Sequence, residues 1–292
     1  MNMPSGFRWI CAGLSLLCAM LSPDAAGGQA ILVDHACTEI QQVPRDSIRR
    51  AKETFRVAYG HTSHGSQIVS GMDALRKQDP DLFGFGRSGG KDLFLLDGTP
   101  RGDLGNPDRS SWAQRTREFL KGPGQEVNVI LWSWCGQAGS ASEEDIALYL
   151  RLMDGLEKEF PQVRFVYMTG HLDGSGANGN LNRRNEQIRD FCRKNGKILF
   201  DFADIESFDP DGKVNYMELN AQDSCEYRDK GGVRNWADEW LKKNPDHGIA
   251  LPDSAAHSRP LNGALKGRAF WWMMARMAGW DGKTIAEEPL RP

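Results

Sequence analysis

The sequence predicts an α/β fold with a mainly parallel sheet covered by helices on both faces. Two observations carry that prediction. Short β-favouring runs alternate with longer amphipathic ones, and the clearest strand, Val127–Trp132, is continuously apolar, as a strand buried on both faces must be. In chain order, Ser47–Glu53 reads as a short helix and Phe55–Tyr59 as a strand. The strand runs into Gly60-His61-Thr62-Ser63-His64-Gly65-Ser66, and a helix begins near Gln67 with Ile68, Met72 and Leu75 on one face. Residues 79–111 read as glycine-rich and irregular, with one apolar stretch, Leu93–Leu96. A helix over Ser110–Leu120 precedes the strand that ends in Ser133-Trp134-Cys135-Gly136-Gln137. Glu143–Phe160 is a long amphipathic helix, Val163–Met168 a strand, Asn182–Lys194 a helix stopped by Gly196, Lys197–Phe202 a strand, and Leu261–Met277 a closing helix.

Residues 1–28 read as a cleavable signal peptide. Arg8 precedes an apolar run, Trp9–Leu21, that is too short for a bilayer span of roughly 20 residues. Pro23 breaks the run, and small residues between Ala26 and Ala30 offer a cleavage site. The competing reading is an uncleaved anchor. Leu17 before Cys18 and Ile10 before Cys11 argue against lipidation, which needs a small residue there. About 265 residues remain, without a linker or repeat to divide them, so 29–292 is expected as one domain. The net charge of −3 argues against a nucleic-acid surface, and no second run is long enough for stable membrane insertion. Export removes two of the six cysteines. Cys37, Cys135, Cys192 and Cys225 allow two disulfides, while Cys135, ending a strand, is equally readable as an unpaired buried thiol.

In a parallel sheet, function gathers at the carboxyl ends of the strands. The first such end holds Ser63 in a tight strand-to-helix turn. The hydroxyl can stand above the sheet there, with the helix N-terminus beside it for a developing anion. Ser63 or Ser66 can equally serve only as a helix cap. Far away, Asp253-Ser254-Ala255-Ala256-His257 places a carboxylate and an imidazole on one loop before the last helix, the pair a serine nucleophile needs. Both can also be ordinary loop residues.

These blocks resemble the SGNH hydrolases, the GDSL-like esterases, in a variant with an H-x-S-x-G serine block at His61-x-Ser63-x-Gly65. The resemblance implies a flavodoxin-like three-layer α/β/α sandwich and a Ser63–His257–Asp253 triad, although the Asp-to-His gap here is four rather than the usual three. It also implies oxyanion donors at Gly105 and, where the family places an asparagine, at Gln137. The implied activity is ester hydrolysis, often of acetylated glycans, or acyl transfer.

His61, His64, Trp134 and His171 are candidate substrate contacts. A metal held by His61 and His64 with His171 or Asp173 has no supporting motif, so no metal or cofactor is expected. Asp201, Asp204 and Glu206 read mainly as solvated or capping carboxylates. Asn178, Asn180 and Asn182 suit sugar hydroxyls or turns equally. Trp271 and Trp272 read as core, and residues 207–250 as an insertion able to form a lid or substrate wall. The expected function is an exported serine esterase, periplasmic or extracellular, acting on a small-molecule or glycan ester. An acyltransferase and a non-catalytic glycan-binding protein are the alternatives.

Overall fold

The computed structural model describes residues 29–283; the expected signal peptide lies outside the described residues. The main elements are β1 (Ile31–Val33), α1 (Arg45–Thr54), β2 (Arg56–Gly60), α2 (Ser66–Gln78), α3 (Pro80–Phe83), β3 (Phe85–Gly86), β4 (Leu93–Asp97) and α4 (Ser111–Lys121). They continue with β5 (Val129–Trp132), α5 (Glu143–Glu159), β6 (Arg164–Met168), α6 (Asn180–Lys194), β7 (Ile198–Phe200) and α7 (Phe202–Ile205). A hairpin of β8 (Glu226–Asp229) and β9 (Gly232–Asn235) follows, then α8 (Trp236–Lys243) and α9 (Pro260–Met277).

Seven strands form one parallel sheet in the order β1-β7-β6-β5-β2-β4-β3. Its centre, β4-β2-β5-β6-β7, follows the flavodoxin-like 2-1-3-4-5 order. Alternate residues of each strand enter two cores. Val57, Tyr59, Val129 and Leu131 pack with α1, α2 and α9, whereas Ala58, Ile130, Trp132 and Tyr167 pack with α4, α5 and α6. The result is the expected three-layer α/β/α sandwich. The stretch Leu93–Leu96, read as part of an irregular region, is β4, a buried strand paired with β2 from Arg56↔Phe94 onward.

Local chemistry fixes the element ends. Ser142 and Asp145 form a reciprocal capping box at the start of α5. Gly196, at φ +63°, follows the end of α6 in the left-handed conformation that side chains resist. Helices α2 and α9 meet backbone to backbone: a Cβ on Gly71 would lie 1.9 Å from the Gly263 carbonyl oxygen, and one on Gly267 2.2 Å from the Gly71 carbonyl carbon. Part of the 207–250 segment joins the core shared with α2 and α9. Tyr216, Tyr227 and Trp236 are buried there and pack ring to ring.

Candidate active site

In the strand order β4-β2-β5, the chain leaves β2 toward β4 and later returns to its other side. The carboxyl ends of β2 and β5 therefore flank a topological switch point, where α/β sheets open a crevice. Gly60 pairs with Trp132 in this register, and Ser133 N–H donates to Gly60 O at 3.0 Å. The turn after β2 is pinned on every side. Thr62 donates its N–H and its hydroxyl to the two oxygens of buried Asp103, at 2.8 and 2.7 Å. His61 sits between Asp97 Oδ1 at 2.6 Å and Thr62 O at 2.8 Å, so both of its ring nitrogens are committed to holding the turn rather than to a substrate. Gly65 is forced by space: a Cβ would fall 2.3 Å from Ser133 Oγ. Ser66, not Ser63, spends its hydroxyl locally, donating to Ser63 O at 2.6 Å.

Ser63 Oγ lies instead 3.4 Å from Cys135 Sγ, and that sulfur lies 3.1 Å from His64 Nδ1. His64 Nε2 lies 2.8 Å from Asp223 Oδ2. A carboxylate only accepts, so Nε2 carries the proton and Nδ1 presents its lone pair to the thiol. The chain of donors is then fixed: Ser63 O–H to sulfur, Cys135 S–H to His64, and His64 N–H to Asp223. Burial pushes His64 below its ordinary value of 6.5. The Asp223 hydrogen bond opposes that shift, and the neighbouring His171 and His257 add to it. For Asp223, burial works against ionisation, but the hydrogen bond from His64 and the nearby His171 ring hold its carboxyl below the usual range. The centre of the site is thus a neutral imidazole oriented by a carboxylate, with its basic nitrogen on a thiol.

Two further histidines sandwich that imidazole. The His171 ring stacks on His64 at 3.7 Å and the His257 ring at 4.3 Å. His257 occupies φ +62° in a turn closed by Ser258 N–H to Ala255 O, a conformation histidine tolerates better than most side chains. His171 Nδ1 donates to Leu172 O at 2.9 Å, so its Nε2 is a lone-pair acceptor; it is buried and has no partner among the described residues. His64, His171 and Asp223 do offer three ligand-type atoms within 4.8 Å of one another. Two imidazoles stacked 4° from parallel, however, cannot aim their in-plane lone pairs along converging tetrahedral directions. The cluster reads as a proton relay rather than a metal cage.

Several expected roles change in this geometry. Ser63, His64, His171 and His257 do come together. Asp253 does not join them: its side chain is 92% exposed and takes an ion pair from Lys77 at 2.8 Å. Among the described residues no hydrogen bond joins Ser63 to His257. Asp223, from the 207–250 segment, is the carboxylate instead, on the neighbouring His64. Trp134 is buried core, its indole N–H donating to Met168 O, so it offers no face to a sugar. Gln137 turns its side-chain carbonyl back to accept Cys135 N–H at 2.6 Å, which removes that N–H, not an oxyanion, from solvent. Gly105, at φ +78°, has no room for a side chain: a Cβ would fall 2.6 Å from Arg109 Nη1 and 3.0 Å from Gln137 Cβ. Its N–H and those of Ser63, His64 and Gly65 have no acceptor among the described residues. Two of the three asparagines read as suiting sugars or turns equally are spent locally: Asn180 bridges Gly139 O and Ala141 O, and Asn182 donates to Ala177 O.

Under the site lies a buried polar hub. Glu206, read as a mainly solvated carboxylate, is fully buried and pairs with Lys266 Nζ at 2.5 Å. Lys266 also donates to Gln67 Oε1, and Gln67 Nε2 donates to Ala256 O at 2.6 Å. Glu206 Oε1 takes the Leu172 N–H at 2.5 Å. One ion pair therefore holds the residue after His171, the residue before His257 and the first turn of α2.

Two measurable consequences follow from this geometry. All four cysteines of the described chain are free thiols. Burial pushes Cys225 up to about 12 and raises Cys37 and Cys192 further, so none of the three supplies a thiolate near neutrality. Iodoacetamide on the native protein is expected to alkylate Cys135 alone, with the other three labelled only in denaturant; peptide mass mapping reads the pattern. The second consequence concerns pH. A protonated His64 cannot accept the thiol proton, and burial makes protonation harder, so any reaction that uses His64 as its base is expected to lose rate only below pH 6.5. Turnover at pH 6.5 is expected above half of its plateau, and a midpoint at or above that pH contradicts the assignment.

No model of a known protein family, no curated protein and no solved structure matches the chain.

Proposed function

We propose that the chain is a hydrolase that works by acyl transfer on a polar carboxylic ester, with His64 as general base and Asp223 as its orienting carboxylate. The observation that carries this reading is the 2.8 Å Asp223–His64 contact behind a basic nitrogen aimed at the Ser63–Cys135 pair. A nucleophile taken from that pair attacks the ester carbonyl as His64 removes its proton. The oxyanion meets the unclaimed N–H groups of Ser63, His64 and Gly65 at the start of α2 and of Gly105 across the crevice. His64 returns the proton to the leaving alcohol, and water, activated by the same imidazole, releases the acid.

A polar ester is the substrate class that the sequence resemblance implies. The half-exposed Ser63 and Cys135 favour water over a second alcohol as acceptor, and hence hydrolysis over transfer. Trp134, buried in the core, offers no stacking face to a sugar. An export signal at residues 1–28 would place the substrate in the periplasm or outside the cell. The test is a panel of nitrophenyl acetates and acetylated oligosaccharides offered to the chain beginning at Gln29. Turnover that disappears in His64→Gln supports the reading. Absence of turnover across the panel, or turnover indifferent to His64, overturns it.

A further inference from the structure

We infer that Cys135, not Ser63, is the nucleophile, so that the reaction passes through a cysteine thioester. The inference rests on the acyl-transfer reading and deepens it. Only the thiol touches the base: Cys135 Sγ is 3.1 Å from His64 Nδ1, within the reach of a sulfur hydrogen bond, whereas Ser63 Oγ contacts the sulfur and no histidine among the described residues. The order of donors along the chain gives the two groups different tasks. His64 takes the proton of the thiol. The Ser63 hydroxyl, 3.4 Å from the sulfur, donates to the thiolate that remains. A hydroxyl with no base cannot be deprotonated near neutrality, while a thiol next to a neutral, carboxylate-held imidazole can.

Position and access agree with this assignment. Cys135 is the third residue beyond β5, at the switch point, half-exposed between buried Trp134 and exposed Gly136. Gly136, exposed beside it, takes φ +86°, a conformation that side chains resist. The other three thiols are sealed in the cores, so this is the one cysteine of the described chain that a substrate reaches. Gln137 Oε1, by accepting Cys135 N–H, fixes the backbone that carries the nucleophile.

The steps balance without a redox partner. The thiol proton passes to His64 as the sulfur–carbon bond forms and the carbonyl electrons move to oxygen. Collapse breaks the ester carbon–oxygen bond, the alkoxide leaves with the proton from His64, and the acyl group stays on sulfur. Water adds to the thioester with its proton on His64. Collapse then breaks the carbon–sulfur bond, yielding the carboxylic acid and a thiolate that the imidazolium reprotonates.

The experiment is an acid quench during turnover of p-nitrophenyl acetate, followed by peptide mapping of the acetyl group and exposure to neutral hydroxylamine, which cleaves thioesters far faster than oxygen esters. The acetyl group is expected on Cys135 and is removed by hydroxylamine. Cys135→Ala and the near-isosteric Cys135→Ser are expected to lower kcat/KM by about a thousandfold or more, and Ser63→Ala by about tenfold, with the fold retained by circular dichroism. Acetyl on Ser63, together with an active Cys135→Ala and a dead Ser63→Ala, overturns the cysteine assignment and leaves the hydrolase reading standing. An unmodified enzyme with no turnover removes both.

Discussion

His64→Gln is expected to lower kcat/KM for ester cleavage by about 10³- to 10⁴-fold, while Asp253→Asn leaves it unchanged. Loss of a positioned general base typically costs about 10²–10⁴ in rate, and here the same ring also returns the proton to the leaving group. Glutamine keeps much of the bulk between His171 and His257, so the stack persists while the basic nitrogen is gone. Asp223→Asn is expected to fall in the same range, since an amide no longer forces the proton onto Nε2, and a wrong tautomer in such a triad costs about 10⁴ in turnover. Asp253 offers the contrast because it is solvent-exposed and bonded to Lys77. Steady-state kinetics on the three variants separates the two carboxylates, and a large loss in Asp253→Asn with none in Asp223→Asn reverses the assignment.

Lys266→Ala is expected to destabilise the protein by about 3–5 kcal/mol, since removing one partner of a buried ion pair strands the other charge without solvent. Lys266 is 0% exposed and Glu206 is likewise sealed, so no water reaches the abandoned carboxylate. The lost side chain also leaves Gln67 Oε1 without its donor and the Phe202 ring without the ammonium 3.8 Å from its centre. In a chain of this size the change corresponds to a fall in Tm on the order of 10 °C. Thermal and urea unfolding measure it, and a variant as stable as the parent shows that the pair contributes nothing net. Because the hub holds Leu172 and Ala256, the surviving folded fraction is expected to bind substrate less well.

Much of this architecture is legible in the sequence, for identifiable reasons. The helices at 143–159 and 260–277 and the strand at 129–132 announce themselves through unbroken periodicity or an unbroken apolar run. The strand at 93–97 hides because glycines precede it and only four apolar residues mark it. In the site, Ser63, His64 and His257 stand out because a strand-to-helix turn and a loop before the final helix are places where side chains gather. Asp253 is misleading for the same reason: nearness along the chain says nothing about direction, and Lys77 on α2 draws it outward. Asp223 carries no signal at all. It is one acid among many in a segment whose packing depends on buried Tyr216 and Trp236, and only the fold brings it to His64. Cys135 is visible as a thiol at a strand end, but its role depends on an imidazole contributed from residue 64, which no local pattern encodes.

The bare contact of α2 on α9 has a consequence in time. A ribosome delivers the chain from its N-terminus, so α2, complete at Gln78, waits through the whole sheet before α9 begins at Pro260. Until Gly263 and Gly267 settle on Gly71, Lys266 has no Glu206 or Gln67 to meet, and His257 has no ring to lie against. The cluster around His64 is therefore completed by α9, the last helix among the described residues. A nascent chain that stops short of α9 carries the thiol and the imidazole but not the platform beneath them.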